Sequence, residues 1–202
     1  MCYHNSLLTC RIICQPLSLV LDFSEPENGA VAVRTTIEHF GRLDVLVNNA
    51  SCYLRTNLND KILDSMVVYR KLLAVNVDAA LKATLAAVDE LRRTRGNIVF
   101  ITRVSHQTSM KSSFAYNTSK ASIAMLAKTL TLELSPDIRV NMCSPAFTPF
   151  ADEVARRELG KPTPDKEAKE IAKAIYLIAS DEAKFISGND ILVGKDMFVA
   201  QA

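Results

Sequence analysis

Tyr116 and Lys120 close the stretch Ser-Ser-Phe-Ala-Tyr-Asn-Thr-Ser-Lys at 112–120. On a helix, an i, i+4 spacing puts both side chains on one face. An ammonium beside a phenol favours the phenolate and draws the tyrosine pKa down from about 10 toward neutrality. A phenol tuned in this way can hand a proton to a developing alkoxide or take one back. Tyr-x-x-x-Lys is also frequent by chance, and a solvated surface pair is the ordinary explanation when nothing supports it. The rest of the chain decides between the two.

The chain has 202 residues, 49% of them hydrophobic and 23% charged, which suits one soluble domain with a real core. A net charge of +2, with Lys and Arg spread along the chain, gives no footprint for nucleic acid or a membrane surface. Five cysteines, at 2, 10, 14, 52 and 143, form no disulfide framework and point to a reducing, cytoplasmic setting. Cys2, His4, Cys10 and Cys14 match no standard zinc spacing, so no metal is expected. The start is apolar but lacks a basic n-region and is broken by Gln15 and Pro16, which makes a poor signal peptide. No stretch reaches the roughly 18 apolar residues of a membrane span.

Strand-like and helix-like segments alternate without a repeat or a low-complexity linker, the pattern of an α/β fold with a parallel sheet. Residues 17–23 (LSLVLDF) are apolar enough for a strand. A helix follows, with Ser24 able to cap it, Pro26 near its first turn and Gly41 able to end it. Residues 43–50 (LDVLVNNA) suit a central strand buried on both faces. A long helix over 65–93, a strand over 96–102, a helix over 112–134 and a strand over 138–145 come next. A short helix over 151–159 closes at Gly160. Thr163 and Pro164 open a helix over 163–180, and 190–194 reads as the last strand. Ligands of such sheets lie at the carboxyl ends of the strands. The polar residues there are Asn48, Asn49, Thr102, Arg103 and Ser144.

Taken in order, Asp22, Asn48-Asn49-Ala50, Asn76, the strand at 96–102, Tyr116 to Lys120, Arg139 to Ala146 and Ile186-Ser187-Gly188 carry a likeness. Over about residues 19–198 the chain resembles the short-chain dehydrogenase/reductase family, of the classical type. The resemblance implies a Rossmann-like, doubly wound parallel sheet and hydride transfer between NAD or NADP and a carbonyl or alcohol. It implies that Tyr116 is the catalytic acid/base and that Lys120 lowers its pKa and holds the nicotinamide ribose. Asn76 matches the helix residue that positions a relay water. Asp22 matches a contact to adenine, Asn48 and Ala50 the motif beside the cofactor, and Pro145 the turn flanking the nicotinamide. Taken alone, Asn76 reads equally as a solvent-facing or helix-bending residue, and Asp22 as a turn residue.

The chain departs from the family pattern in three places. Its six glycines are 29, 41, 96, 160, 188 and 194, so no Gly-rich pyrophosphate loop precedes residue 29. Residues 1–18 form a divergent segment too short for the first β-α-β-α unit, leaving 19–202 as a single but incomplete domain. In the strand order 3-2-1-4-5-6, losing strands 1 and 2 strips residues 17–23 of neighbours and opens an apolar edge at 43–50. Either residues 7–21 fill that edge or the domain is unstable. The family's carbonyl-polarising Ser would lie thirteen residues before Tyr116, where this chain has Arg103, with Thr102 and Ser105 nearby as substitutes. Ser51 and Ala146 replace glycines of the family motifs. Thr148 or Phe150 falls where the family has a Thr, and the substrate loop over 147–163 is short.

Two functions follow. One is an NAD(P)-dependent oxidoreductase acting on a small-molecule carbonyl or alcohol, represented here by a truncated chain whose activity those departures place in question. Phe147 and Phe150 would suit a lipophilic substrate. The other is a non-catalytic relative that works as an assembly or binding partner. In both, a homo-oligomer through helices 65–91 and 112–134 is expected, with neither nucleic acid nor membrane as partner.

Overall fold

The computed structural model describes residues 15–57, 66–104, 111, 113–146 and 165–194. Four strands form one parallel sheet in the order β1 (Val45–Asn48), β2 (Asn97–Ile101), β3 (Arg139–Pro145) and β4 (Asp190–Val193). Val45 lies opposite Asn97, Asn97 opposite Arg139, and Met142 opposite Asp190. Strand β2 is buried at every position and β3 at all but its first; β2 reads as an apolar run, whereas β3 also buries Asn141 and Ser144, which bond to Ile186, Asn189 and Asp190.

Alternation along the strands divides the core between two faces. Ile98, Phe100, Val140 and Met142 meet α1 (Glu27–Phe40), α3 (Ala79–Thr94) and α4 (Phe114–Leu134). Val99, Ile101 and Cys143 meet α5 (Asp165–Ala179) on the other face. Helices therefore cover both faces, as a doubly wound α/β fold requires. Gly41, with φ 73°, ends α1 by donating its N–H to the carbonyl of Ile37. The opening residues Thr163 and Pro164, and the helix expected over 151–159, lie outside the described residues.

The helix expected over 65–93 is continuous but not uniform. It comprises α2 (Val67–Leu73), a π-helical turn at Ala74–Asp78, and α3. The π turn falls around Asn76, whose side chain is drawn sideways to the backbone of Cys52. An inserted residue of this kind bends the hydrogen-bond ladder, and such turns recur at functional positions.

Two expectations about strands are overturned. Residues 17–22 form no strand, and Val20 is fully exposed. An isolated extended segment leaves its backbone groups to water, so an apolar run becomes a strand only beside a partner. Among the described residues strand β1 lies at the edge of the sheet, as the loss of strands 1 and 2 implies, and its burial is partial where burial on both faces was expected. Residues 15–21 do not pair with it, and residues 7–14 lie outside the described residues. A cavity of about 310 Å³ opens on one side of β1, between α1 and α3, with Val45, Val47 and Ala50 in its wall. Val47, an exposed valine on this edge, is the side chain a second sheet would meet. Val47→Lys is expected to lower the concentration-dependent light scattering of the purified chain. Scattering unchanged by the substitution would mean that this edge is not the route of association.

Candidate active site

The carboxyl ends of β1, β2 and β3 meet the N-terminal half of α4. The sequence begins α4 after Ser113, and the i, i+4 geometry carries Tyr116 and Lys120 inward together. They are 5% and 3% exposed, so the surface-pair reading does not hold. The Lys120 ammonium donates to the carbonyl of Ile101 at the end of β2 (2.9 Å) and lies 5.7 Å from the centre of the Tyr116 ring. The ring of Tyr53 meets that of Tyr116 edge-on, 5.1 Å between centres, and its hydroxyl pairs with that of Ser113.

Asn76 ties the site together. Its amide N–H groups donate to the Cys52 carbonyl (3.0 Å) and the Ser119 hydroxyl (2.9 Å), and its side-chain oxygen accepts from the Cys52 N–H (2.8 Å). Ser119 in turn donates to the carbonyl of Tyr116. Asn76 thus joins the π turn, the loop after β1 and α4. Its side chain is fully engaged in holding the frame, which excludes the solvent-facing reading.

The electrostatics differ from the simple pairing expected of Tyr116 and Lys120. Burial pushes the Tyr116 phenol above its ordinary range. The charge of Arg103 and its hydrogen bond to the phenol pull it back, helped by a hydrogen bond from Ser51. Burial is also the main reason that the Lys120 ammonium falls from 10.5 to about 8, with repulsion by Arg103 second. Arg103 is itself 4% exposed. The arginine at the family's Ser position is thus a charge that favours the Tyr116 phenolate against its burial. Thr102 is committed elsewhere: its hydroxyl pairs with that of Ser144 at 2.5 Å, and Ser144 donates to Asp190. Ser105, Thr148, Phe147 and Phe150 lie outside the described residues.

The remaining sequence candidates are more dispersed. Asn48 donates to the Thr84 hydroxyl (3.1 Å), fixing the end of β1 to α3. Asn48 and Ala50 border the cavity beside β1. Pro145 is fully buried at the end of β3. Asp22 occupies an exposed turn, where its carboxylate accepts from the Ser24 N–H and is held below the usual carboxylate range. The sequence reading missed Ser51, Cys52, Tyr53 and Ser119 as parts of the site. Only Ser51 carried a signal, as a departure from the family's Asn-Asn-Ala-Gly.

A family model described as enoyl-(acyl carrier protein) reductase matches residues 9–195. The trans-4-hydroxycyclohexanecarboxylate dehydrogenase of Sinomonas cyclohexanicum is 31% identical over 180 residues, covering 86% of this chain and 67% of that protein. The L-fucose dehydrogenase of Bos taurus is 30% identical and covers 87% and 69%. The acetoin dehydrogenase structure from Enterobacter cloacae superposes with a TM-score of 0.75, is 30% identical, and covers 91% of this chain and 75% of that one. The chain belongs to the short-chain dehydrogenase/reductase family.

For a short-chain dehydrogenase/reductase, the test is whether these residues fit a nicotinamide dinucleotide. At the nicotinamide end they do. Lys120 has three N–H donors, one of them given to Ile101, and it stands beside a buried phenol at the carboxyl edge of the sheet. At the pyrophosphate end they do not. Among the described residues the glycines serve other places: Gly29 within α1, Gly41 at its end, Gly96 before β2, and Gly188 and Gly194 flanking β4. None follows a strand into a helix N-terminus, where a phosphate would rest. Among the described residues there is also no cluster of groups able to hold a metal and no helix long and apolar enough to cross a membrane.

Proposed function

We propose that the chain acts in NAD(P)-dependent hydride transfer between a nicotinamide and a small carbonyl or alcohol, with Tyr116 as the catalytic acid/base. The burial of Tyr116 and Lys120 side by side at the carboxyl ends of β2 and β3 is the observation that carries this reading. The activities for which the relatives are named, on a hydroxy acid, a sugar and acetoin, support the substrate class. A bound nicotinamide supplies or accepts the hydride. In the reducing direction the Tyr116 hydroxyl gives its proton to the developing alkoxide, and in the oxidising direction it takes the proton from the alcohol. Lys120, with its pKa near 8, has both ammonium and amine forms available to restore that proton. It also offers N–H donors to the nicotinamide ribose. Asn76 keeps the loop after β1 and α4 in register, and by resemblance it would position a relay water. Asn48, Ala50 and Pro145 would flank the nicotinamide half, and Asp22 the adenine. Val67, Leu85, Met125 and Leu132 turn outward from α2, α3 and α4, which supports association of copies through those helices.

The second reading is a non-catalytic assembly partner. It is favoured by Arg103 against Tyr116 and by the lack of a phosphate cradle among the described residues. Fluorescence titration of the purified chain with NADH and NADPH separates the two. The catalytic reading expects saturable binding, and with acetoin or cyclohexanol a turnover that Tyr116→Phe lowers by about 10³-fold, binding unchanged. No binding of either nucleotide would sink it in favour of the assembly role.

A further inference from the structure

The outer edge of β1 and the segment 17–21 are complementary, and neither has a strand partner among the described residues. An unpaired edge offers a row of backbone N–H and C=O groups to any strand that comes beside it. Apolar space flanks this edge on both faces of the sheet. On one face is the cavity between α1 and α3, which Leu46 borders. On the other, a groove of about 660 Å³ lies between β1 and α5, bordered by Val45, Val47, Ile175 and Tyr176. Of the side chains lining the two, only that of Asp181 is charged. The segment 17–21 reads Leu-Ser-Leu-Val-Leu, carries no charge, and leaves Leu19 and Val20 exposed. A turn anchors it to α1: the Asp22 carbonyl accepts from the Glu25 N–H and from the Asn28 side chain. Helix α1 is seated on α3 at Gly29, too close for a Cβ. That seam holds the segment on a course that does not pair with its own β1.

We propose that residues 17–21 of one copy add as a strand to the β1 edge of a second copy, and the reverse, giving a closed dimer. Five extended residues span about 17 Å, enough to run the length of the four-residue β1. In an extended chain Leu17, Leu19 and Leu21 point to one side and Ser18 and Val20 to the other, so apolar side chains enter the space on both faces. A strand covered on both faces is apolar throughout, and this segment has that composition. Main-chain pairing supplies the affinity, and the spaces beside β1 take alternate side chains. Reciprocal exchange about a two-fold axis closes on itself, whereas one-way addition would build a filament. The contact is separate from the outward faces of α2, α3 and α4, and it needs neither nucleotide nor substrate.

The test is sedimentation equilibrium of the full chain and two variants, with a labelled peptide of residues 15–22 as a probe. Val20 is fully exposed in the single chain, so Val20→Lys is expected to leave the unfolding midpoint of the monomer unchanged. In the dimer it carries a charge into apolar space, and association should weaken at least about tenfold. Val47→Lys, on the receiving edge, should do the same. The Val20→Lys chain keeps its own edge open, so it should bind the peptide saturably, and Val47→Lys should not. A wild-type chain that stays monomeric at high micromolar concentration would overturn the proposal. Association that survives Val20→Lys would also overturn it, and would assign the contact to α2, α3 and α4. Loss with Val47→Lys but not with Val20→Lys would overturn it as well, since the edge would then take another segment of its own chain or a second β1. Filaments that depend on Val20 would overturn the closed exchange. If Val47→Lys does not fold, Val20→Lys and the peptide decide: no peptide binding to the Val20→Lys chain counts against the proposal.

Discussion

Lys120→Met is expected to give a protein about 2 kcal/mol more stable than the wild type at neutral pH and without oxidoreductase activity. The lysine is 3% exposed, and burial, then Arg103, brings its pKa from 10.5 to about 8. At about 1.4 kcal/mol per pKa unit, a depression of that size corresponds to roughly 3 kcal/mol against the folded state. Met fills a similar volume without a charge. Against this gain, the Ile101 carbonyl loses its donor, which costs about 1 kcal/mol. The pH dependence gives a second check. Below about pH 8 Lys120 is protonated in both the folded and unfolded chains, and the full penalty applies. Between about 8 and 10.5 the unfolded chain holds a proton that the folded chain has released, so wild-type stability rises with pH. The two proteins should therefore converge across that window. Urea midpoints measured from neutral to alkaline pH read this directly, and a difference that is absent, or constant with pH, would show that the ammonium is not desolvated. A residue that lowers stability where it stands is more readily explained by chemistry than by architecture.

What the sequence revealed and what it hid follow from how local each signal is. Tyr116 and Lys120 were legible because a helix turns a spacing into a shared face. Strand β2 was legible because a strand covered on both sides is close to apolar throughout. The run at 17–23 has equal apolar content and no strand, since a strand is a relation between two segments. Its composition holds no record of whether the partner is there. Asn76 showed the same limit from the other direction. Its position was identified by resemblance, but the three contacts that fix it come from Cys52 and Ser119, far away in the chain. Arg103 reads in sequence as the loss of a hydroxyl. In three dimensions it is a gain, a charge placed against the phenol that Lys120 was expected to tune.

Gly29→Ala is expected to destabilise the chain by about 3 kcal/mol or more, the opposite sign to the local rule. Within a helix, replacing Gly by Ala ordinarily gains up to about 1 kcal/mol. Here a Cβ on Gly29 would stand 2.1 Å from the carbonyl oxygen of Ala79 and 3.1 Å from the amide nitrogen of Ala83. Both atoms are backbone and cannot rotate aside, so α1 must lift from α3. Ala30 and Val33, buried in that seam, would lose their contacts, and the cavity beside β1 would widen. The disturbance does not stop there. Ala79 begins α3 where the π turn ends, three residues after Asn76, and a shift of α3 strains the hydrogen bonds that hold Cys52 and Ser119 to the site. Guanidinium chloride unfolding would show the lower midpoint. A midpoint at or above that of the wild type would mean that α1 and α3 do not cross at Gly29, and the buried seam that supports the Asn76 turn would have to be redrawn.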